Sequence, residues 1–284
     1  MQQLAVSSCL VDDGTACGFE PMDIQGGGSS VVRCVKCGLG VTLPRIQDIA
    51  SLYADRQSQD FQPKTAGLAR AIKQIAFRRR ARSFIRMVPD RPRTIVDYGC
   101  GSGLFTKCLQ GVSGATVHAL DFHEAPPPDI GNVDYRPFSR EAELLGRADL
   151  LIASHVIEHE DDAVGLIVRM AGLVKRGGHL VIEVPNIDCW GARLFGSHWD
   201  GWYLPYHRLH FSSRSLRAAV ERAGLAVVAE RGATVPTMGR TLANLAGRPH
   251  DLFFLLAGAA LHPIERGLEF ASRRPSALRV VARK

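Results

Sequence analysis

Apolar residues are spaced in two regimes, and the change between them divides the chain. From Thr94 onward, short runs of strand formers alternate with stretches in which apolar residues recur every three or four positions. Thr94–Tyr98 reads as a buried strand that runs into glycines, and Leu104–Leu109 as the start of a helix. Strands are predicted again at Thr116–Phe122, Val133–Phe138 and Ala148–Val156. A helix follows over Ala163–Val174, stopped by Gly177-Gly178 before a strand at His179–Pro185. Ser212–Ala223 is a further helix, with a serine able to cap its start and Gly224 closing it. Ala226–Val235 and Leu278–Arg283 supply the last strands. Seven strands alternating with helices predict an α/β fold, a doubly wound parallel sheet covered on both faces.

Two flanking regions follow other patterns. Residues 1–47 hold four cysteines, the turn Gly26-Gly27-Gly28-Ser29-Ser30, and apolar runs at Ser30–Val35 and Leu39–Leu43, which together predict a small β-rich module with a hairpin. Residues 48–93 form a helical linker or cap, with Leu68, Ile72, Ile75, Phe77, Phe84, Ile85 and Val88 at helical spacing. Within it, the run from Arg78 to Arg82 reads as a solvated helix face, with a phosphate- or nucleic-acid-binding stripe as the alternative. Pro89 and Pro92 end this stretch and open the main domain, 94–284. Residues 236–276 are a largely helical insertion rich in Leu, Phe and Ala. It reads either as a lid packed on the domain or, over 242–261, as a surface that meets a bilayer or a lipid-linked molecule.

Composition narrows the function classes. The 284 residues carry 35 Lys and Arg against 28 Asp and Glu, a formal charge of +7. This modest excess fits anionic partners or simply an arginine-rich source. The longest apolar run, Leu252 to Leu261, is far short of the ~20 residues a membrane span needs. The first residues lack the basic start and long apolar core of a secretory signal, so a cytoplasmic location is expected. The seven cysteines then read as thiols or metal ligands rather than as a disulfide framework.

The sharpest local signal is Val96-Asp97-Tyr98-Gly99-Cys100-Gly101-Ser102-Gly103-Leu104. Glycines at alternate positions between a strand and a helix let the chain turn tightly and let its N–H groups approach a ligand. A second acid, Asp121, ends the next strand, where a carboxylate can hold the two hydroxyls of a ribose. This stretch resembles the first motif of class I S-adenosylmethionine-dependent methyltransferases, with a Rossmann-like sheet. A nicotinamide dehydrogenase would instead want glycine at position 104. The resemblance implies a cofactor site built from Asp97, Gly99, Cys100, Gly101, Gly103, Asp121, Phe122 and Ser154. Asp97 would organise the loop, Asp121 hold the ribose and Phe122 flank the adenine.

Later segments carry the same resemblance. Ala153 to His159 is similar to the end of the fourth strand in the group that includes ubiquinone-pathway O-methyltransferases. Leu173 to Ile182 resembles that group's L-K-P-G-G turn, with Arg176 in place of proline. Pro205, His207, His210-Phe211-Ser212 and Ala223-Gly224-Leu225 resemble a signature of many bacterial members. His155 stands where a general base is wanted, since a neutral imidazole titrating near pH ~6.5 can take a hydroxyl proton. On a helix, His155, Glu158 and His159 would share one face, and His207 borders the same cleft. Some relatives acting on RNA ends or polyprenyl catechols hold a divalent ion (magnesium or manganese) with Glu and His here, but His155 replaces their first acid.

Cys34-Val35-Lys36-Cys37-Gly38 is a C-x-x-C-G knuckle, able to supply half of a tetrahedral zinc site. Cys9 and Cys17 are the other cysteines of the module, at a spacing that departs from the usual second C-x-x-C. A structural zinc on Cys9, Cys17, Cys34 and Cys37, a metal-free knuckle and a redox pair all remain open. The expected function is S-adenosylmethionine-dependent O-methylation of a small-molecule or glycan acceptor, including a lipid-linked one. The alternatives are a metal-assisted methyltransferase of RNA 3′-ends or tRNA, and an inactive cofactor-binding scaffold.

Overall fold

The computed structural model describes residues 9–11, 17–46 and 67–284. Its centre is a sheet of seven strands: β4 (Thr94–Tyr98), β5 (Thr116–Asp121), β6 (Asp134–Pro137), β7 (Ala148–Ser154), β8 (Val174–Pro185), β10 (Ala226–Ala233) and β11 (Ala277–Arg283). In space they run β10-β11-β8-β7-β4-β5-β6. The five from β6 to β8 are parallel, whereas β11 is antiparallel to both of its neighbours. The all-parallel expectation thus fails at one edge, because the insertion returns the chain as a hairpin partner of β10 rather than through a crossover.

Helices cover both faces. On one, α1 (Gly67–Ile85) and α2 (Leu104–Ser113) bury Ala81, Phe84 and Leu109 against Ile95, Val117 and Val181. On the other, α3 (Ala163–Leu173) and α5 (Ser213–Arg222) pack Ile167, Met170 and Leu216 against Val96, Leu151 and Ile182. Ser212 caps α5 in a reciprocal box with Ser215. The helix α4 (Trp190–Phe195) follows β8.

Several expected boundaries shift. Gly177-Gly178 lies inside β8 rather than stopping α3, because the chain is already extended at Val174 (φ −80°, ψ 136°). The apolar stripe expected on α1 is broken. Ile72 and Ile75 are 56% and 52% exposed, and only the C-terminal half of the helix reaches the sheet. The first part of the expected helical stretch, 48–66, lies outside the described residues.

The cysteine module is a four-stranded antiparallel sheet of β1 (Phe19–Gly26), β2 (Ser29–Cys34), β3 (Gly40–Leu43) and β9 (Leu209–His210). Strand β1 was not foreseen, since its Glu20, Pro21 and Asp23 disguise the alternation. The fourth strand is not the module's own. It belongs to the segment after β8, so the module is hydrogen-bonded into the larger domain.

The insertion forms a hairpin of α6 (Met238–Leu245) and α7 (Leu252–Ser272), which cross closely enough that a Cβ on Gly258 would lie 2.8 Å from Gly239 Cα. Helix α7 buries Glu265 and Glu269 while leaving Phe253, Leu256 and Phe270 exposed. Among the described residues, no helix is long and apolar enough to cross a membrane.

Candidate active site

The glycine loop after β4 closes over the end of β5. The N–H groups of Gly99 and Cys100 donate to the Leu120 carbonyl at 2.8 and 3.0 Å. The Asp121 carboxylate accepts from Gly101 N at 2.8 Å through one oxygen and from Phe122 N at 2.8 Å through the other. Gly103 has φ +79°, and a Cβ there would sit 2.7 Å from Ile130 Cα, so the position admits only glycine. Gly101, at φ +54°, has nothing within 4 Å of where a Cβ would stand. The loop therefore opens onto free space beside a buried carboxylate.

Two acids meet at this corner. Burial pushes Asp121 up, and the Gly101 and Phe122 N–H groups pull it back part of the way. Asp97, at the end of β4, is raised to about 6, chiefly by burial, with help from the nearby Asp121 charge. Its carboxylate accepts from the Thr106 hydroxyl at 2.6 Å, so it braces the first turn of α2 rather than a loop N–H. Burial likewise pushes the Cys100 thiol up, which keeps it protonated. An adenosyl group fits these residues. Asp121 uses two of its ~four lone-pair positions on backbone donors, leaving others for ribose hydroxyls. The Phe122 ring is 49% exposed beside it.

The second cluster lies past the end of β7. Ile157–His159 is a single 3-10 turn and His155 sits at φ +58°, so the expected helical face does not exist. Three of its side chains meet nonetheless. His155 Nδ1 is 3.1 Å from Glu158 Oε1, and His207 Nε2 is 3.9 Å from the same oxygen. Glu158 is 1% exposed, and its Oε2 is buried with no hydrogen-bond partner among the described residues. His207 Nδ1 lies 2.9 Å from the Gly201 carbonyl and His159 Nδ1 3.1 Å from that of Tyr206. A carbonyl only accepts, so both rings carry their proton on Nδ1 and turn a lone pair to Nε2. Burial holds both below the usual histidine range, in the neutral form. One donor atom each from Glu158, His159 and His207 falls within 4.8 Å of the others. That set, two neutral imidazoles fixed by carbonyls and an unpartnered carboxylate oxygen, fits a divalent cation. His210 points instead to the module, its Nε2 2.9 Å from the Thr42 hydroxyl.

A family model for a methyltransferase domain matches residues 69–230, more than half the chain. It spans both the glycine loop and the histidine cluster. The chain belongs to the S-adenosylmethionine-dependent methyltransferase family. Among curated relatives, the ubiquinone biosynthesis O-methyltransferase of Azotobacter vinelandii is 32% identical over 105 residues, which cover 33% of this chain and 45% of the relative. That of Acinetobacter baylyi is 28% identical over 106 residues, covering 33% and 44%. The chain thus spans less than half the length of the curated relatives it matches. Among solved structures, the Burkholderia thailandensis 1,6-didemethyltoxoflavin-N1-methyltransferase with S-adenosylhomocysteine aligns with a TM-score of 0.52 at 16% identity. That alignment covers 93% of this chain and 99% of the other. A S-adenosylmethionine-dependent methyltransferase from Archaeoglobus fulgidus gives 0.50 at 17% identity, covering 82% and 100%. These likenesses establish the fold.

This methyltransferase has a buried acid at the strand ends that its sequence pattern did not single out. Glu183, on β8, is fully buried and held by Arg80 from α1 and Arg279 from β11. Burial alone would raise its carboxyl, but Arg80, Arg279 and His155 bring it down to about 2. Arg80 also reaches the Ser154 hydroxyl, which donates to Glu183 at 3.1 Å. Arg80 is therefore a partly buried ion-pair partner at the strand ends rather than part of a fully solvated face. The available signal was Glu183 itself, a lone acid within the apolar run Leu180–Val184.

Proposed function

We propose that this methyltransferase moves the methyl group of S-adenosylmethionine to a hydroxyl oxygen of a small-molecule acceptor. The observation that carries the reading is the His155–Glu158 pair just past the end of β7. The His155 side chain is 30% exposed, whereas Glu158 beneath it is closed to solvent. Bound S-adenosylmethionine supplies an electrophilic methyl group on a sulfonium. The chain's part is to align the acceptor and remove its proton. With Nδ1–H donating to Glu158, the Nε2 of His155, 3.6 Å from Glu183 Oε1, is the nitrogen that takes the hydroxyl proton, and the Glu158 and Glu183 charges steady the imidazolium that results. The O-methyltransferase relatives support oxygen as the acceptor atom. Exposed Leu252, Phe253 and Leu256 on the insertion support an acceptor with an apolar or lipid-linked portion.

The donor set of Glu158, His159 and His207 favours a second reading, in which these residues would hold a divalent ion and the ion would supply the lowered pKa of the acceptor hydroxyl. The RNA reading is weakened, because Arg80 of the basic helix is committed to Glu183. The deciding experiment is methyl transfer to a panel of phenols, sugars and short RNAs, with chelator and with added magnesium or manganese. The base reading predicts chelator-resistant turnover of a hydroxyl acceptor and a loss of about 10²–10⁴-fold in His155→Ala. Turnover that requires added metal and survives His155→Ala assigns the chemistry to the second reading. Cofactor binding without turnover on any acceptor would return the chain to a scaffold.

A further inference from the structure

The cysteine module contains a cluster that the methyl-transfer reading does not use. Cys9, Cys34 and Cys37 are 1–2% exposed, and their sulfurs all lie within 4.8 Å of one another. Cys9 Sγ and Cys34 Sγ are 3.9 Å apart, far beyond a disulfide bond. Four thiolates around a zinc at ~2.3 Å define a tetrahedron with edges of about 3.8 Å, which matches that separation. Cys17, distant in sequence from the knuckle, lies outside that close trio but against the thiols of both Cys9 and Cys34, which makes it the fourth donor of the proposed set. The knuckle is also shaped for thiolates. Cys37 N points at Cys34 Sγ at 3.4 Å, and Gly38, at φ +76°, turns the chain so that its own N–H returns to the Cys34 carbonyl at 3.0 Å. Three buried thiols that converge in one corner, with a fourth against two of them, form a donor set of the kind that holds a tetrahedral zinc.

The corner is joined to the second cluster of the site by direct hydrogen bonds. Strand β3 leaves the knuckle and pairs with β9, Gly40 against His210 and Val41 against Leu209. Thr42 donates its hydroxyl to the His207 carbonyl at 2.6 Å, and its N–H to the Arg208 carbonyl at 3.0 Å. Arg208 N in turn donates to the Glu158 carbonyl at 2.8 Å. The knuckle touches α5 as well, since Ser212 Oγ meets the Cys37 carbonyl at 3.4 Å and Arg222 the Cys9 carbonyl at 2.7 Å. Whatever fixes the knuckle therefore fixes the register of the segment that brings His207 to Glu158.

We propose that Cys9, Cys17, Cys34 and Cys37 bind one zinc ion, and that this ion, acting through β3 and Thr42, holds His207 in the site. The thiolate set selects zinc over magnesium or manganese, which keeps this ion distinct from any metal on the carboxylate and histidines. The second half of the proposal rests on the histidine cluster being the site of methyl transfer.

The test begins with metal content of the full-length protein. Elemental analysis should find about one zinc per chain, and exchange for cobalt should give the intense visible bands of a tetrahedral tetrathiolate ion. Cys34→Ser and Cys37→Ser should each lose the metal. A folded protein without zinc that takes up no stoichiometric cobalt overturns the proposal, whatever its activity. The coupling is read in Thr42→Val, which leaves all four sulfurs in place. It should keep its zinc and its cofactor affinity, and lose about tenfold or more in kcat, with Thr42→Ser restoring it. Unchanged kcat in a zinc-loaded Thr42→Val protein overturns the coupling. Wild-type protein that holds zinc but methylates nothing would instead count against the site reading.

Discussion

Replacing Asp97 by asparagine should make the protein more stable at alkaline pH and less so in acid. The Asp97 carboxyl is 3% exposed and titrates at about 6 in the folded protein, against 3.8 for the free side chain. The folded state therefore binds its proton more tightly than the unfolded one. Stability linked to this group is full below pH ~4 and is lost as pH rises through ~6, a total of about 3 kcal/mol. About 2 kcal/mol of that falls between pH 4.5 and 8. Asparagine carries no charge but can still accept from Thr106, while its amide group lacks a partner at a cost of about 1–2 kcal/mol. That cost is the same at every pH. The variant should thus trail the natural protein slightly at pH 4.5 and lead it at pH 8. Urea unfolding of both proteins at the two pH values measures the difference, and all other titrating groups cancel. A gap that stays constant with pH would refute the claim that burial strains this carboxylate.

Glu183 predicts the opposite slope in a lower window. Its folded value of about 2 against 4.5 unfolded means a contribution of about 3 kcal/mol that is present above pH ~4.5 and lost on acidification toward ~2. Arg80→Met should move the acid-unfolding midpoint upward, and an unmoved midpoint would show that Arg279 alone suffices. The two glycines should part company. Gly103→Ala combines left-handed backbone strain with a 2.7 Å clash against backbone and should cost well over the ~1 kcal/mol of strain alone, whereas Gly101→Ala meets no atom in the free protein, carries only that strain and should also weaken the cofactor. Equal stability losses at the two positions would contradict this reading of the loop.

The middle of the sheet was legible because β4, β5, β7 and β8 are mostly buried on both faces and bounded by glycine and capping residues, as at Val96–Gly99 and Ser212. The glycine loop and Asp121 were legible for a related reason, since close backbone approach restricts both to few residue types. What was hidden depends on long-range pairing. The β3–β9 link joins Gly40 to His210 across most of the chain, and no local pattern marks it. The antiparallel β11 reads as a strand in sequence, but its direction is set by where the insertion ends. The histidine cluster was expected from a helical face and forms without one. His155 adopts a left-handed conformation and its Nδ1 lies against Glu158, while the sheet and the Thr42 contact bring His207 from the other side. Arg80 looked like surface charge because its partner, Glu183, lies 103 residues away.

Calorimetric titration with S-adenosylmethionine tests the central claim most directly, using the natural protein and Asp121→Ala. The geometry of the glycine loop predicts binding of about one equivalent to the natural protein. Loss of the Asp121 carboxylate should weaken it by about 10–150-fold, equivalent to ~1.5–3 kcal/mol for charged hydrogen bonds. Absence of binding to the natural protein, or binding of a nicotinamide dinucleotide in its place, would contradict the account.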